Sequence, residues 1–107
     1  MRRFYRSLKY HNKPTYVNGI RFASRKEAER YRILKLAEKQ GQIKKLELQP
    51  KFDFPMRFSY KADFRYWLVK EGKWIIEDVK GIETAIFKLK EKCFKYFYPF
   101  FELKIVR

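Results

Sequence analysis

The chain has 107 residues, and 27 Lys and Arg against 12 Asp and Glu give it a formal net charge of +15. Hydrophobic residues make up 46% of the chain, which is enough for a packed core and excludes a disordered basic tail. The length predicts a single domain, and no apolar run approaches the roughly 20 residues of a membrane-spanning helix. One Cys and one His exclude a disulfide scaffold and a Cys/His zinc site, so we expect a reducing, cytoplasmic setting.

The first 13 residues form a basic arm. Residues 1–26 contain eight Lys or Arg and no acidic residue, so more than half of the excess charge lies in the first quarter of the chain. The segment 1–13 lacks the long apolar stretch of a signal peptide. Its aromatic and basic residues are interleaved, which suits phosphate contact and base stacking, although a solvated, solubilising arm is the alternative. The expected DNA contacts in the arm are Arg2, Arg3, Arg6, Lys9 and Lys13.

A β-hairpin and a helix are predicted after the arm. Asn18-Gly19 lies between two short apolar runs and predicts the turn of a hairpin over residues 14–23. Ser24 then predicts the start of a helix, and Gly41 predicts its end. The helix, SRKEAERYRILKLAEKQ, has a basic face made of Arg32, Lys35 and Lys39.

Three runs with strand character come next. The run LELQPKFDF (46–54) contains Pro50, which predicts an edge strand or a break. The run SYKADFRYWLV (59–69) alternates apolar and polar side chains and is predicted to be one strand. The run KWIIEDVK (73–80) follows a turn at residues 70–72, and this short connection predicts an antiparallel hairpin.

A second helix is predicted to begin at Glu83 or Thr84 and to end before Pro99. Residues 101–106 form the last predicted strand. The order, a hairpin followed by αβββαβ, predicts an α/β fold with a mixed sheet flanked by helices, whose core occupies residues 24–107. In the second helix one apolar stripe is formed by Ile86, Leu89, Cys93 and Phe97, and Phe87 and Phe94 stand beside it. We expect Cys93 to be a core residue.

The residues that carry chemistry lie in the last two strand-like runs. Side chains alternate along a strand, so Asp78 and Lys80 point to the same side. Antiparallel pairing can bring Asp63 next to Asp78, and two adjacent carboxylates repel unless a cation lies between them. Mg²⁺ is the natural cation because it prefers oxygen ligands. The alternative is that Asp78 and Lys80 form only an ion pair at the sheet edge, while Asp63 offsets Lys61 or Arg65.

Glu27 has two competing interpretations. It fits a capping box with Ser24, in which the Glu27 carboxylate bonds back to the first residue of the helix. It can also contribute an acidic group from the helix to the site, and Glu29 can serve instead. Glu77 would replace Asp78 only if a bulge shifted the register of its strand.

The ordered set of acidic residues and lysine resembles the PD-(D/E)XK nuclease superfamily, with Glu27 in a first helix, Asp63 in a second strand and Asp78-x-Lys80 in a third. The stretches FASRKEAERY, LELQPKFDF, KADFRYW and IIEDVKGIETAIFKLKEK are similar to a small phage and prophage family of unknown function. They also resemble, more distantly, TnsA-type endonucleases and archaeal-type Holliday junction resolvases. The resemblance covers residues 20–106 and implies a restriction-endonuclease-like αβββαβ core, with one departure at Ala62, where the superfamily name has Pro.

The resemblance also implies a role for each of these residues. The implied metal ligands are Asp63, Asp78, Glu27 and the carbonyl of Val79. Lys80 is the implied catalytic lysine, and Gln49 is implied to orient a ligand or a water. The implied cofactor is Mg²⁺, with Mn²⁺ as a substitute.

We therefore expect a Mg²⁺-dependent DNA endonuclease, associated with phage and acting in the host cytoplasm, that selects branched DNA such as a Holliday junction. Lys88 and Lys90 extend the expected DNA contacts. Symmetric cutting of two strands requires two sites, so we expect a homodimer, and the aromatic residues 96–101 belong either to the core or to its interface. The alternatives are a non-catalytic basic DNA- or RNA-binding module and a nuclease subunit that needs a partner. We expect no membrane partner.

Overall fold

The computed structural model of the protein describes residues 14–107, so the basic arm predicted over residues 1–13 lies outside the described residues. The described residues form an α/β fold with two helices and eight strands. In chain order the elements are β1 (Thr15–Val17), β2 (Ile20–Phe22), α1 (Arg25–Lys39), β3 (Ile43–Leu48), β4 (Lys51–Phe54), β5 (Phe58–Lys61), β6 (Phe64–Leu68), β7 (Lys73–Val79), α2 (Ala85–Phe97) and β8 (Glu102–Val106).

The predicted hairpin and first helix are confirmed. β1 and β2 pair antiparallel around Asn18 and Gly19, whose φ angles of 51° and 78° match the left-handed conformation that this turn requires. Ser24 caps α1, since its side chain accepts a hydrogen bond from the Glu27 backbone N–H at 3.2 Å. Gly41 follows the helix with a φ of 81°, as expected just beyond a helix C-terminus.

A mixed four-stranded sheet forms the centre of the molecule, with the strand order β3-β6-β7-β8. β6 pairs antiparallel with both β3 and β7, while β8 returns after α2 to pair parallel with β7. β7 is therefore a central strand, and its residues 75–78 are all buried. Its position explains why the run Trp74–Ile76 is apolar, because both faces of a central strand are covered.

The prediction of one continuous strand over residues 59–69 is wrong. The chain breaks at Ala62 and Asp63, so β5 pairs with β4 in a separate two-stranded sheet and β6 enters the central sheet. The break is held by backbone hydrogen bonds from Ala62 N–H to the Pro50 carbonyl and from Asp63 N–H to the Glu77 carbonyl, both 3.0 Å long. The run 46–54 is also broken, at the position where Pro50 predicted it.

Two apolar cores lie on opposite faces of the central sheet, since the consecutive residues Ile75 and Ile76 belong to different cores. The α1 core consists of Val17, Phe22, Ala28, Tyr31, Leu34, Ile43, Phe64, Tyr66 and Ile75. The α2 core consists of Phe52, Phe54, Tyr60, Ala62, Ile76, Phe87 and Phe94.

Cys93 of the second helix packs partly buried against the α2 core, as predicted, but the rest of its stripe does not face that core. Phe87 and Phe94 are the buried side chains of α2, whereas Ile86, Leu89 and Phe97 are 55%, 50% and 44% exposed. The reason is tertiary, because the ring of Phe94 packs edge-on against Phe52 at a centroid distance of 4.8 Å and turns the helix toward the β4–β5 hairpin. Within residues 14–107, no helix is long and apolar enough to cross a membrane.

Candidate active site

The ends of β6 and β7 bring together the carboxylates that the sequence singled out. Phe64 pairs with Glu77, so one step further along the antiparallel register Asp63 lies opposite Asp78. The Val79 backbone N–H donates a hydrogen bond of 2.7 Å to Asp63 Oδ2. The break in the predicted strand thus places Asp63 at the sheet end with its carboxylate turned toward β7.

Asp63 and Asp78 are mutually destabilising when both are charged. The pKa of Asp63 is raised to about 8, chiefly by burial and also by the neighbouring carboxylates of Asp78 and Glu27, while the hydrogen bond from Val79 N–H opposes the shift. Two carboxyl groups this close either share a proton or require a cation between them. The predicted pairing of the two aspartates is therefore present, and it has the electrostatic consequence that the sequence suggested.

Asp78 is only 3% exposed and has contacts that fix its orientation. Its Oδ2 accepts a hydrogen bond from the Tyr60 hydroxyl, and its Oδ1 lies 3.6 Å from Lys80 Nζ. Burial and the Asp78 charge raise the pKa of Tyr60, so this hydroxyl remains a proton donor. Tyr60 was not among the predicted site residues, and its place on the apolar side of the alternating run marked it only as buried.

Lys80 lies at the boundary between the site and the α2 core. Its ammonium group is 4.5 Å from the ring centroid of Phe87, a cation–π contact, and its side chain is 29% exposed. The ion pair that the sequence offered as the alternative is thus partly realised, between Lys80 and Asp78. Asp63 does not offset Arg65, which pairs instead with Glu47 at 2.5 Å.

The Glu27 side chain lies toward the site, whereas Glu29 is exposed on the opposite side of the helix. Burial raises the pKa of Glu27, the Asp78 charge raises it as well, and the Lys80 charge lowers it. Within the described chain, only half of the predicted capping box forms: the Ser24 hydroxyl oxygen accepts from Glu27 N–H, and the Glu27 carboxylate accepts no hydrogen bond from the Ser24 backbone N–H. The structure therefore separates the two interpretations, with the cap made by Ser24 alone.

Glu77 lies on the other face of β7, where its contacts stabilise the fold. It is fully buried and forms a two-pronged ion pair with Arg30, at 2.7 and 2.6 Å, while the Tyr66 hydroxyl donates to the same carboxylate. The pairings of β7 with β6 and with β8 run without a bulge across the described residues, so Glu77 does not replace Asp78. Because Arg30 lies one turn after Glu27, this pair also fixes α1 against β7 and positions Glu27 beside Asp78.

A cleft of about 270 Å³ opens in front of Asp63. Gln49 lines it, exposed and with a φ of 53°, and donates its backbone N–H to the Asp63 carbonyl at 2.9 Å. The β1–β2 hairpin forms one wall, a role for that hairpin that the sequence did not suggest. The lining residues are Ile20, Arg21, Phe22, Glu27, Leu48, Gln49 and Asp63.

The donor set at this site consists of hard oxygen ligands. In the part of the chain that the structure describes, no three His, Cys, Asp or Glu side chains are arranged as a ready-made metal site. Asp63, Asp78 and Glu27 nevertheless lie close enough for their carboxylate charges to act on one another. Val79 contacts Asp63 through its N–H, which is a different contact from the carbonyl ligation that the resemblance implied. Carboxylate oxygens of this kind fit Mg²⁺ or Mn²⁺ and do not fit the softer metals.

The predicted DNA contacts divide between described and undescribed residues. Lys88 is exposed on α2, and Lys90 lies with its ammonium group 5.6 Å from the ring centroid of Phe58. The five predicted contacts in the arm, Arg2, Arg3, Arg6, Lys9 and Lys13, lie outside the described residues.

One comparison with known proteins gives a match. The family described as "Protein of unknown function (DUF1064)" matches residues 7–107, and the chain belongs to this family. No curated protein and no solved structure gives a significant match.

Proposed function

We propose that the protein is a metal-dependent DNA endonuclease of the PD-(D/E)XK type, associated with phage and acting on branched DNA. The observation that carries the proposal is the placement of Asp63 opposite Asp78, with Lys80 two residues further along and Glu27 facing them from α1. The central sheet also supports the proposal. Together with the helices, its strands follow the αβββαβ order that the resemblance implied: α1, then β3, β6 and β7, then α2 and the parallel strand β8.

Asp63, Asp78 and Glu27 are the residues that would hold Mg²⁺. When bound, the metal supplies Lewis-acid polarisation of a phosphate oxygen and lowers the pKa of a bound water. The fit rests on the placement of Asp63 opposite Asp78, because a cation between two adjacent buried carboxylates relieves their repulsion. The raised pKa of Asp63 is in keeping with this repulsion.

The remaining chemistry belongs to the chain's own side chains. Lys80 places a positive charge next to Asp78, where it stabilises negative charge that develops on a phosphate. Tyr60 holds the Asp78 carboxylate in orientation through its hydroxyl, and Val79 N–H holds Asp63 in the same way. Gln49 and Arg21 line the cleft beside these groups and contact the substrate backbone.

The proposed substrate follows from the charge of the molecule. A net charge of +15 favours a polyanion as the partner, because basic side chains bind phosphate groups. Lys88 lies on the helix whose first turn packs under Lys80, so it extends the surface away from the site. Contacts of this type read the shape and backbone of DNA, which supports selection of branched DNA over a base sequence.

A non-catalytic nucleic-acid-binding module is the second candidate. It is favoured by one observation, that among residues 14–107 no three acidic or His and Cys side chains are arranged as a ready-made metal site. Carboxylates beside phosphate weaken binding, however, so a pure binding module gains from the loss of Asp78 whereas a nuclease does not.

A cleavage assay tests the proposal. The protein is mixed with a four-way junction, a fork, linear duplex and single-stranded DNA, each with Mg²⁺, Mn²⁺ or EDTA. We expect metal-dependent cleavage of the branched substrates that is lost in Asp78→Asn and Lys80→Ala and kept in Asp53→Asn, whose carboxylate is exposed near the β4–β5 turn. Binding without cleavage, and stronger binding by Asp78→Asn, would establish the second candidate.

Thermal unfolding supplies a readout that does not depend on activity. Mg²⁺ that binds only the folded state raises Tm in proportion to the logarithm of its concentration. We expect this increase in the wild type and in Asp53→Asn, and its absence in Asp78→Asn. Equal increases in all three proteins would exclude Asp78 as a ligand.

A further inference from the structure

The helix α2 presents three different faces along its length. With about 100° per residue, Phe87 and Phe94 define the face that packs on the α2 core. Lys88, Lys92 and Lys95 lie together on one side of it, and we call them the basic flank. The other side is the apolar flank, which consists of Ile86, Leu89, Cys93 and Phe97.

The apolar flank is open to solvent over most of its length. Ile86, Leu89 and Phe97 are about half exposed, and Cys93 is partly buried. Tyr96, in the last turn of α2, is 78% exposed, and Phe100, just beyond the helix, is 91% exposed. The Tyr96 ring contacts the Phe97 ring at a centroid distance of 4.9 Å, so Tyr96 extends the apolar flank, and Phe100 follows three residues after Phe97.

The size of this surface is close to what a stable interface needs. Aromatic side chains offer about 150–250 Å² each, so the exposed fractions of Tyr96, Phe97 and Phe100 amount to about 450 Å². The half-exposed Ile86 and Leu89 bring the apolar surface to about 600 Å², at the upper limit for a typical monomer and near the ~800 Å² that each partner buries in a standard interface.

The distribution of charge makes the apolar flank the surface on which a second copy meets the least repulsion. Two molecules with a net charge of +15 repel each other over most of their surfaces, and approach is least unfavourable where lysines are absent. The basic flank faces away from the apolar flank, and the ammonium group of the bordering Lys90 lies over the Phe58 ring. Apolar residues at spacings of three, four and four along a helix also match an identical helix that runs antiparallel about a two-fold axis.

We propose that the protein forms a two-fold symmetric homodimer in which the apolar flanks of two α2 helices pack antiparallel against each other. Tyr96 and Phe100 of each copy cover the start of the partner helix near Ile86. The proposal rests on surface and charge alone and does not depend on the proposed nuclease activity.

Chemical cross-linking tests the geometry. Cys93 is the only cysteine of the chain and lies near the middle of the apolar flank, so a short bismaleimide should join two copies at micromolar protein concentration. A Cys93→Ser/Leu89→Cys protein moves the thiol to a half-exposed position on the same flank and should also cross-link. A Cys93→Ser/Lys92→Cys protein carries the thiol on the basic flank and should remain monomeric under the same conditions. Equal cross-linking from both flanks, or none from the apolar flank, would overturn the proposal.

Sedimentation velocity tests the surface independently, with a matched pair of variants. Ile86 and Ile33 are both 55% exposed and both lie on helices, but Ile33 is on α1, away from the apolar flank. We expect Ile86→Glu to raise the dimer dissociation constant at least about tenfold, because it places a charge in an apolar interface, and Ile33→Glu to leave it unchanged. Circular dichroism confirms that each variant is folded. A wild-type protein that is monomeric at all concentrations, or an Ile86→Glu protein that dimerises like the wild type, would contradict the proposal.

Discussion

Glu77 and Asp78 are neighbours in the chain, and both are buried, yet they lie on opposite faces of β7 and have different contacts. Glu77 faces the α1 core with Arg30 bonded to both of its oxygens and the Tyr66 hydroxyl beside them. Asp78 lies at the end of the sheet, where it accepts a hydrogen bond from the Tyr60 hydroxyl and lies 3.6 Å from Lys80 Nζ. The Asp63 carboxylate is its other neighbour. The Glu77 charge is compensated by Arg30 and stabilises the fold. The Asp78 charge lies beside a second carboxylate and is less fully compensated, which is what a cation site requires.

The largest expected effect comes from removing the compensation of Glu77. Arg30→Met leaves a fully buried carboxylate without its partner, which should lower the free energy of unfolding by about 3–5 kcal/mol. Urea denaturation measures the loss. The double variant Arg30→Met/Glu77→Gln removes the uncompensated charge and should recover most of the stability. A loss below about 1 kcal/mol in the single variant would show that the pair contributes no more than a surface ion pair.

The carboxylates of the site should make stability depend on pH in one direction. Because burial raises the pKa of Asp63 from 3.8 to about 8, the folded state binds this proton more tightly than the unfolded state. The contribution of Asp63 to the free energy of unfolding is therefore most favourable near pH 4 and falls as the pH rises toward 8. The urea midpoint, measured across this range without divalent metal, should lose most of its slope in Asp63→Asn. An unchanged slope would place the titrating group elsewhere.

A matched pair of tyrosine variants separates the two faces more finely. Tyr60→Phe and Tyr66→Phe each remove a hydroxyl that donates to a buried carboxylate, so each should cost about 1–3 kcal/mol of stability. Only Tyr60→Phe should also reduce cleavage, by about tenfold, because Tyr60 orients a proposed metal ligand. Cleavage kinetics under saturating Mg²⁺ provide the comparison. Equal cleavage by the two variants would remove Tyr60 from the site.

The smallest expected effect concerns the start of α1. Ser24→Ala removes the observed cap and should cost about 1 kcal/mol of stability with cleavage intact. Glu27→Gln should change stability by less than about 0.5 kcal/mol and abolish cleavage, since its carboxylate faces the site and does not close the capping box. Thermal unfolding together with the cleavage assay checks both variants. A loss of stability with intact cleavage in Glu27→Gln would show instead that Glu27 caps the helix.

The sequence by itself determined the features that depend on neighbouring residues. The Asn18-Gly19 turn, the Ser24 cap and the alternation of side chains in β7 each follow from local backbone preference, and each is present. The opposition of Asp63 and Asp78 was predictable for the same reason, since a short turn sets the register of the hairpin that carries them.

Only the tertiary structure decided which partners these elements meet. The alternation from Tyr60 to Tyr66 predicted burial correctly, but not that the strand breaks at Ala62 and sends its two halves into different cores. In α2 both Phe87 and Ile86 are apolar, and packing against the β4–β5 hairpin selected Phe87 for burial and left Ile86 exposed. The contact between Tyr60 and Asp78 likewise joins residues 18 positions apart. Such choices depend on long-range packing, which short-range patterns in a sequence do not specify.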